Sequence, residues 1–314
     1  MKRVSIGRLS RFGLAATFGA TVAMAVSTVN ATLLWYDGFT LADAGGNYTA
    51  GATINGQSGG TGSFFTGPWQ EQSDQLVLSS SLTRPGQIHP SVGGSVGDNG
   101  TDSCCITGRN ARLFATPWGG FTDPDGTFYF GFLGTFGTGT LHHRVLEMWS
   151  GDHANDGNRN LQLGYSEFTG VGPNKMSISV HDSMDGTNHN ATLSENVDFA
   201  TDAGTVHYIV LKFAMSTSGN DVVSAYLDPV GTSEPVTASA QISVSEFLAD
   251  RFGTISTFVF GAGTAPAMDE LRVGSTFADV ANNTLPYTAV PEPATVCLFG
   301  LGLVGLVSAA RRRS

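Results

Sequence analysis

Phe128-Tyr129-Phe130-Gly131-Phe132-Leu133 is the stretch whose reading decides the fold. In an extended chain successive side chains point to opposite faces, so Phe128, Phe130 and Phe132 share one face and Tyr129, Gly131 and Leu133 the other. Asp123-Pro124-Asp125-Gly126 upstream is a turn signal. Met176, Ile178 and Val180 alternate in the same way with Ser177, Ser179 and His181, which reads as a half-buried strand. Working outward, further strands are expected at Gln75–Ser79, Ala111–Ala115, Arg144–Trp149, Asn160–Tyr165, His207–Met215, Val222–Leu227, Ile255–Phe260 and Glu270–Val273. Asp185-Gly186 and other Gly, Asn, Asp and Pro clusters punctuate them. About ten strands and almost no helical periodicity predict an all-β, two-sheet antiparallel jelly-roll sandwich. One short helix is expected near Ser243–Asp250. No fixed-period repeat or Pro-rich linker divides the body, so residues 32–285 read as one domain.

The composition agrees. Of 314 residues 41 % are hydrophobic and 13 % charged, too apolar for a disordered chain. The net charge of −10 is unevenly spread: seven of the 16 basic residues lie at the ends. From Thr32 to Val290 there are 25 acidic and 9 basic residues. A body that acidic has no electrostatic footprint for nucleic acid and is repelled by anionic lipid.

The two ends read as addresses. Lys2, Arg3, Arg8 and Arg11 precede an apolar run from Phe12 to Val26, and Val29-Asn30-Ala31 offers a small-x-small cleavage site, with Ala23-Met24-Ala25 as the alternative. This predicts a signal peptide over 1–31, a signal helix cut by signal peptidase at Ala31. At the other end Pro291-Glu292-Pro293 is followed by a low-polarity run from Ala294 to Ala310 and then Arg311-Arg312-Arg313. Seventeen helical residues rise about 25 Å, enough for a single transmembrane helix with local thinning of the bilayer. The triple Arg would stay cytoplasmic and leave the body outside.

Pro291-Glu292-Pro293, the Gly- and Leu-rich segment around Leu298-Phe299-Gly300-Leu301-Gly302-Leu303 and the basic tail together resemble the PEP-CTERM sorting signal, over residues 286–314. That resemblance implies cutting by an exosortase, a membrane-embedded cysteine peptidase of Gram-negative bacteria. It also implies transient anchoring in the inner membrane, then transfer to the cell surface or extracellular matrix of an organism that makes exopolysaccharide. Cys297 inside the segment is a mild departure.

A second resemblance spans most of Trp35 to Val280. Trp35-Tyr36-Asp37-Gly38-Phe39, Gly59-Gly60-Thr61-Gly62 leading to Trp69, and Met268-Asp269-Glu270-Leu271-Arg272-Val273-Gly274 resemble a concanavalin A-like lectin/glucanase domain. The family implies a concave sheet that often binds glycans, and a structural Ca²⁺ near the first and last strands. Asp269 matches that position, with Asp37 or nearby carbonyls as the contributing ligand. Hydrolases of the family carry a Glu-x-Asp-x-x-Glu run whose carboxyls flank the scissile bond. Here the nearest run is Glu147-Met148-Trp149-Ser150-Gly151-Asp152, with Trp149 where the central Asp belongs. A Trp carries no charge beside a nucleophile, so the chain is expected not to be an enzyme, and a divergent glycoside hydrolase is the remote alternative. Glu147 then reads as a polar residue on a groove face or as the partner of Arg144.

Trp149 and Trp118 are candidate sugar platforms, since ring faces stack on pyranoses; a strand Trp is equally a core residue. Trp69 and Trp118 stand among Gly and Pro and read as loop-borne. Asp152, Asn155, Asp156, Asn158 and Asn160 crowd into one loop, which suits either Ca²⁺ or a solvated Asx turn. Ala154 and Leu163 break the EF-hand spacing. No cofactor motif appears, so none is expected beyond a structural Ca²⁺. Cys104-Cys105 allows a vicinal disulfide, a reduced pair or an interchain bridge. The expectation is a surface-sorted β-sandwich associating with extracellular polysaccharide, against a structural or adhesive matrix protein that binds no specific glycan.

Overall fold

The alternation at Phe128–Leu133 is realised in β7 (Gly126–Gly134), the hub of the larger sheet. The computed structural model describes residues 33–71, 75–84, 93–97, 109–114, 126–135, 144–149, 159–164, 175–182, 186–194, 204–216, 218–245, 254–258 and 267–281. Among them β7 pairs with β12 (His207–Met215) on one side and β16 (Ala267–Gly274) on the other. Beyond β12 come β13 (Asp221–Leu227) and β14 (Ala240–Val244). Beyond β16 come β1 (Leu33–Asp37) and β2 (Thr61–Gly62). The short strand β5 (Ser95–Gly97) pairs with β16, and β4 (Leu76–Leu78) pairs with β5, giving nine strands.

The second sheet has seven strands, in the order β11 (Thr187–Thr192), β10 (Ser177–Asp182), β9 (Arg159–Gly164), β8 (Arg144–Trp149), β15 (Thr254–Phe258), β6 (Arg109–Phe114) and β3 (Phe65–Glu71). Every named ladder in both sheets is antiparallel. Antiparallel sheets with one apolar face each bury it by facing one another. The shared core takes Phe128, Phe130, Phe132, Ile209, Leu211 and Phe213 from the larger sheet, and Leu146, Met148, Leu161, Leu163, Ile178 and Val180 from the smaller. Phe128 stacks on Phe213 at 4.7 Å, and Phe64 meets Phe130 edge-on at 5.5 Å across the layers. Each such ring contributes about 1.5–3 kcal/mol by burial.

The other face of β7 is also covered. Tyr129, Leu133, Tyr208, Val210 and Tyr226 pack under Phe277, Val280 and Ala281 of the short helix α1 (Phe277–Ala281). Gly131 makes room for it: a Cβ there would sit 2.6 Å from the Tyr208 hydroxyl and 3.0 Å from Val280 Cβ. The Tyr208 hydroxyl in turn donates to the Val280 carbonyl at 2.7 Å.

The expected bounds hold for β8 and β12 and shift by a few residues elsewhere. The helix expected near Ser243–Asp250 does not begin there. Ser243 and Val244 end β14, where Ala240, Ile242 and Val244 turn inward and Gln241 and Ser243 outward; residues 246–250 lie outside the described set. Among the described residues no helix is long and apolar enough to cross a membrane. The signal segment 1–31 and the apolar run 294–310 are not among them.

Candidate functional site

Because Leu161 and Leu163 of β9 enter the core, Gln162 between them faces away from it. Register then lines up one position from every strand of the smaller sheet. Asn190 pairs with Ser179, Ser179 with Gln162, Gln162 with Glu147, Glu147 with Ser256, Ser256 with Ala111, and Ala111 with Gln70. The result is a predominantly polar row running across all seven strands, about 29 Å long. Its ends, Asn190 and Gln70, are exposed, Ser179 is half-buried, and the centre is closed: Gln162 is 4 % exposed and Glu147 0 %. Gln162 Nε2 is buried with no hydrogen-bond partner. A buried amide left so costs about 1–3 kcal/mol; Arg112 Nε, on the inner face of the same sheet, is likewise buried without a partner. None of Asn190, Ser179, Gln162, Glu147 or Gln70 was paired with another from sequence, because cross-strand register cannot be read from one strand alone.

The interior holds a second polar group, at the end of the sandwich where β1 meets β3 and β6. Asp37 Oδ2 accepts from the Tyr48 hydroxyl at 2.5 Å and from Arg112 Nη1 at 3.2 Å, and Oδ1 accepts from the Phe39 amide at 3.1 Å. Trp69 Nε1 donates to the Tyr48 hydroxyl at 2.9 Å. The Arg112 guanidinium lies 4.6 Å from the Trp35 ring centroid and 5.5 Å from that of Trp69. Burial pushes the Asp37 carboxyl up to about 6, although Tyr48, Arg112 and the Phe39 amide all pull it down. Asp37, expected to contribute to a Ca²⁺ site, has donors on both its oxygens and a cation beside it. One expectation is corrected. Trp69 is not loop-borne but buried on β3, swung inward by a bulge between Thr66 and Gln70 in which Gly67 takes φ +69°.

Asp269 is fully buried on β16, where its oxygens accept from the Leu82 amide at 2.8 Å and the Glu270 amide at 2.7 Å. Burial first, and then the adjacent Glu270, hold its carboxyl well above the usual range. Glu270, at φ +54° in a β16 bulge, accepts from Tyr36 at 3.1 Å and from Arg272 at 3.2 Å. Among the described residues no three His, Cys, Asp or Glu side chains converge to hold a metal ion. Glu147, expected on a groove face, lies in the polar row and is fully buried. The Trp149 backbone pairs with Thr254 and Arg159. Its side chain and that of Arg144 lie outside the described set, as do Trp118, Asp152, Asp156, Cys104, Cys105, Ala31 and residues 289–314.

Residues 289–313 match the PEP-CTERM protein-sorting motif, so the C-terminus carries the mark of an exosortase-processed surface protein. No curated protein matches the chain. Among solved structures it is similar to an endo-β-1,4-glucuronan lyase from the fungus Trichoderma reesei, at 12 % identity and TM-score 0.46, over 76 % of this chain and 98 % of that one. It is also similar to the globular domain of T. cruzi calreticulin, at 11 % identity and TM-score 0.39, over 66 % and 83 %. A third is the receptor-binding domain of botulinum neurotoxin D, at 7 % identity and TM-score 0.41, over 74 % of this chain and 49 % of that chain. Likeness at this level says nothing of what the chain binds or does.

Proposed function

We propose that the chain is a non-catalytic, exported exosortase substrate whose lectin-like sandwich holds extracellular polysaccharide across the seven-stranded sheet. The observation that carries the binding half is the unpartnered Gln162 amide at the centre of the row. Sugar hydroxyls both donate and accept, so one glycan chain can meet Asn190, Ser179 and Gln70 along the open parts of the row, and reaches the Gln162 amide once the side chains that close the centre are displaced. Trp149 and Trp118 are the stacking platforms in this reading. The export half rests on the C-terminal motif, with the run 294–310 as a transient inner-membrane anchor and Pro291-Glu292-Pro293 as the site read by the peptidase.

The test is binding of the body, residues 32–290, to a polysaccharide panel with calcium and with chelator, which separates an ion-dependent site from one built of side chains alone. Gln162→Leu keeps the volume and removes the amide. It is expected to weaken binding about tenfold or more while leaving the thermal midpoint unchanged or raised, since a buried unsatisfied group goes with it. No binding from a folded sample would make this a matrix or adhesion protein. Release of reducing ends, lost in Glu147→Gln, would make it a hydrolase. Separately, deleting residues 291–314 is expected to divert the protein from the envelope to free secretion, measured by cell fractionation; unchanged fractionation would overturn the sorting half.

A further inference from the structure

The loop 228–239, between β13 and β14, presents two apolar side chains to solvent: Val230 is 89 % exposed and Val236 106 %. The other large exposed apolar residue among those described, Leu113, reaches only 36 %. Isolated exposed valines are ordinary, but these follow Pro229 and Pro235 in a loop that is strapped down at its root and its middle. Asp228 accepts from the Tyr208 amide at 2.8 Å and meets Arg84 Nε at 2.9 Å and His207 Nδ1 at 2.8 Å. Glu234 accepts from Lys212 Nζ at 2.7 Å, Tyr129 at 2.7 Å and Tyr226 at 2.5 Å. Burial raises the Glu234 carboxyl, but those three donors outweigh it and hold it below the usual range. The valines are therefore carried on a fixed support.

Two further observations say what this loop faces. First, the body is strongly acidic, yet both carboxylates of the loop are matched by a cation, Glu234 by Lys212 and Asp228 by Arg84. An anionic lipid surface is repelled less here than by an unpaired acidic surface. Second, Phe277 of α1 lies 6.1 Å from the Tyr129 ring and 5.8 Å from the Tyr226 ring, the same two tyrosines that hold Glu234. Ala238 of the loop packs against the same apolar cluster as Val280 and Ala281. Ala281, the last described residue, thus lies beside this loop, and residues 282–293, at most about 40 Å if extended, join it in sequence to the apolar run.

We propose that loop 228–239 is the surface through which the body rests on the lipid bilayer while its C-terminal run is still inserted there. The proposal rests on the reading of 294–310 as a membrane anchor. Tethering makes the contact intramolecular, so two shallow apolar groups suffice where a free body would not bind. The contact holds the body in one orientation above the peptidase site.

The test uses the full chain reconstituted into vesicles of phosphatidylethanolamine with a minor share of phosphatidylglycerol, some lipids carrying a brominated, Trp-quenching acyl chain. Val230→Trp and Val236→Trp are compared with Thr187→Trp, an exposed position on the edge strand β11 of the other sheet. Quenching of the added emission at 230 and 236 is expected to exceed that at 187 at least about twofold, and to vanish when residues 289–314 are removed. Co-flotation with vesicles reads the anchor separately. A chain that floats but shows equal quenching at all three positions overturns the loop contact alone. A chain that does not float overturns the anchor, and the contact with it. Circular dichroism of each variant confirms that the sandwich is intact.

Discussion

Arg112→Ala is expected to lower the unfolding free energy of the body by about 3–5 kcal/mol at neutral pH, the loss typical when one partner of a buried ion pair is removed. The reason lies in what is left behind. Asp37 keeps its bonds from Tyr48 and the Phe39 amide but loses the only cation that contacts it among the described residues. Trp35 and Trp69 lose the guanidinium packed over their rings. Arg112→Met retains the stem and most of the volume, so it separates packing from charge. If charge dominates, Met rescues little, whereas the double variant Arg112→Met with Asp37→Asn recovers much of the loss. Urea unfolding of the four proteins measures this. A loss under about 1 kcal/mol for Arg112→Ala would show that the pair is a surface-like contact and not a tie between sheets.

Arg112 also shows how far the sequence can be read. Within the expected strand Ala111–Ala115 the apolar residues Ala111 and Leu113 mark the inward face by alternation. The structure reverses that: Arg112 is 4 % exposed and Leu113 36 %. Alternation assumes that polar side chains face water, and it inverts where a carboxylate on another strand supplies the partner. The hint was Asp37, a lone charge at the end of Leu33-Leu34-Trp35-Tyr36. Strands with large apolar residues on alternate positions, β7, β8 and β12, were legible to within two residues. β11 was not, since Thr187-Asn188-His189-Asn190-Ala191-Thr192 offers no apolar pattern and forms because β10 supplies a template. β14 was not expected as a strand, and only its last two residues, Ser243 and Val244, fell within the helix expected near Ser243–Asp250. The C-terminal motif was plain because a peptidase reads it as linear sequence. The polar row was invisible, because Gln162 meets Glu147 and Ser179 only through registers that the whole sheet sets.

Stability is expected to fall as pH rises from about 5 to about 8, by roughly 1.4 kcal/mol from Asp37 alone, the rest of its total of about 3 kcal/mol being lost below pH 5. Asp37 goes from an ordinary 3.8 to about 6 on folding. The folded state therefore binds more protons than the unfolded chain between those values. A carboxyl raised in this way favours the fold below its unfolded value and loses that advantage as pH climbs through its folded one. Asp269 acts in the same direction, since it too is raised, by burial and by Glu270. Glu234 acts oppositely, but only at the acid end: held below its ordinary value, it weakens the fold as protons reach it. The balance places the optimum on the acid side of neutrality. Asp269→Asn is expected to flatten part of the slope, at the cost of one of the two amide bonds the carboxylate accepts. Arg112→Ala should be less damaging near pH 5 than near pH 8, because a protonated Asp37 needs no cation. Thermal midpoints across that range for the unaltered body and both variants decide it. A midpoint that is flat or rises toward pH 8 in the unaltered body would mean that Asp37 and Asp269 stay ionised in the fold, with Arg112 and the amide donors outweighing burial.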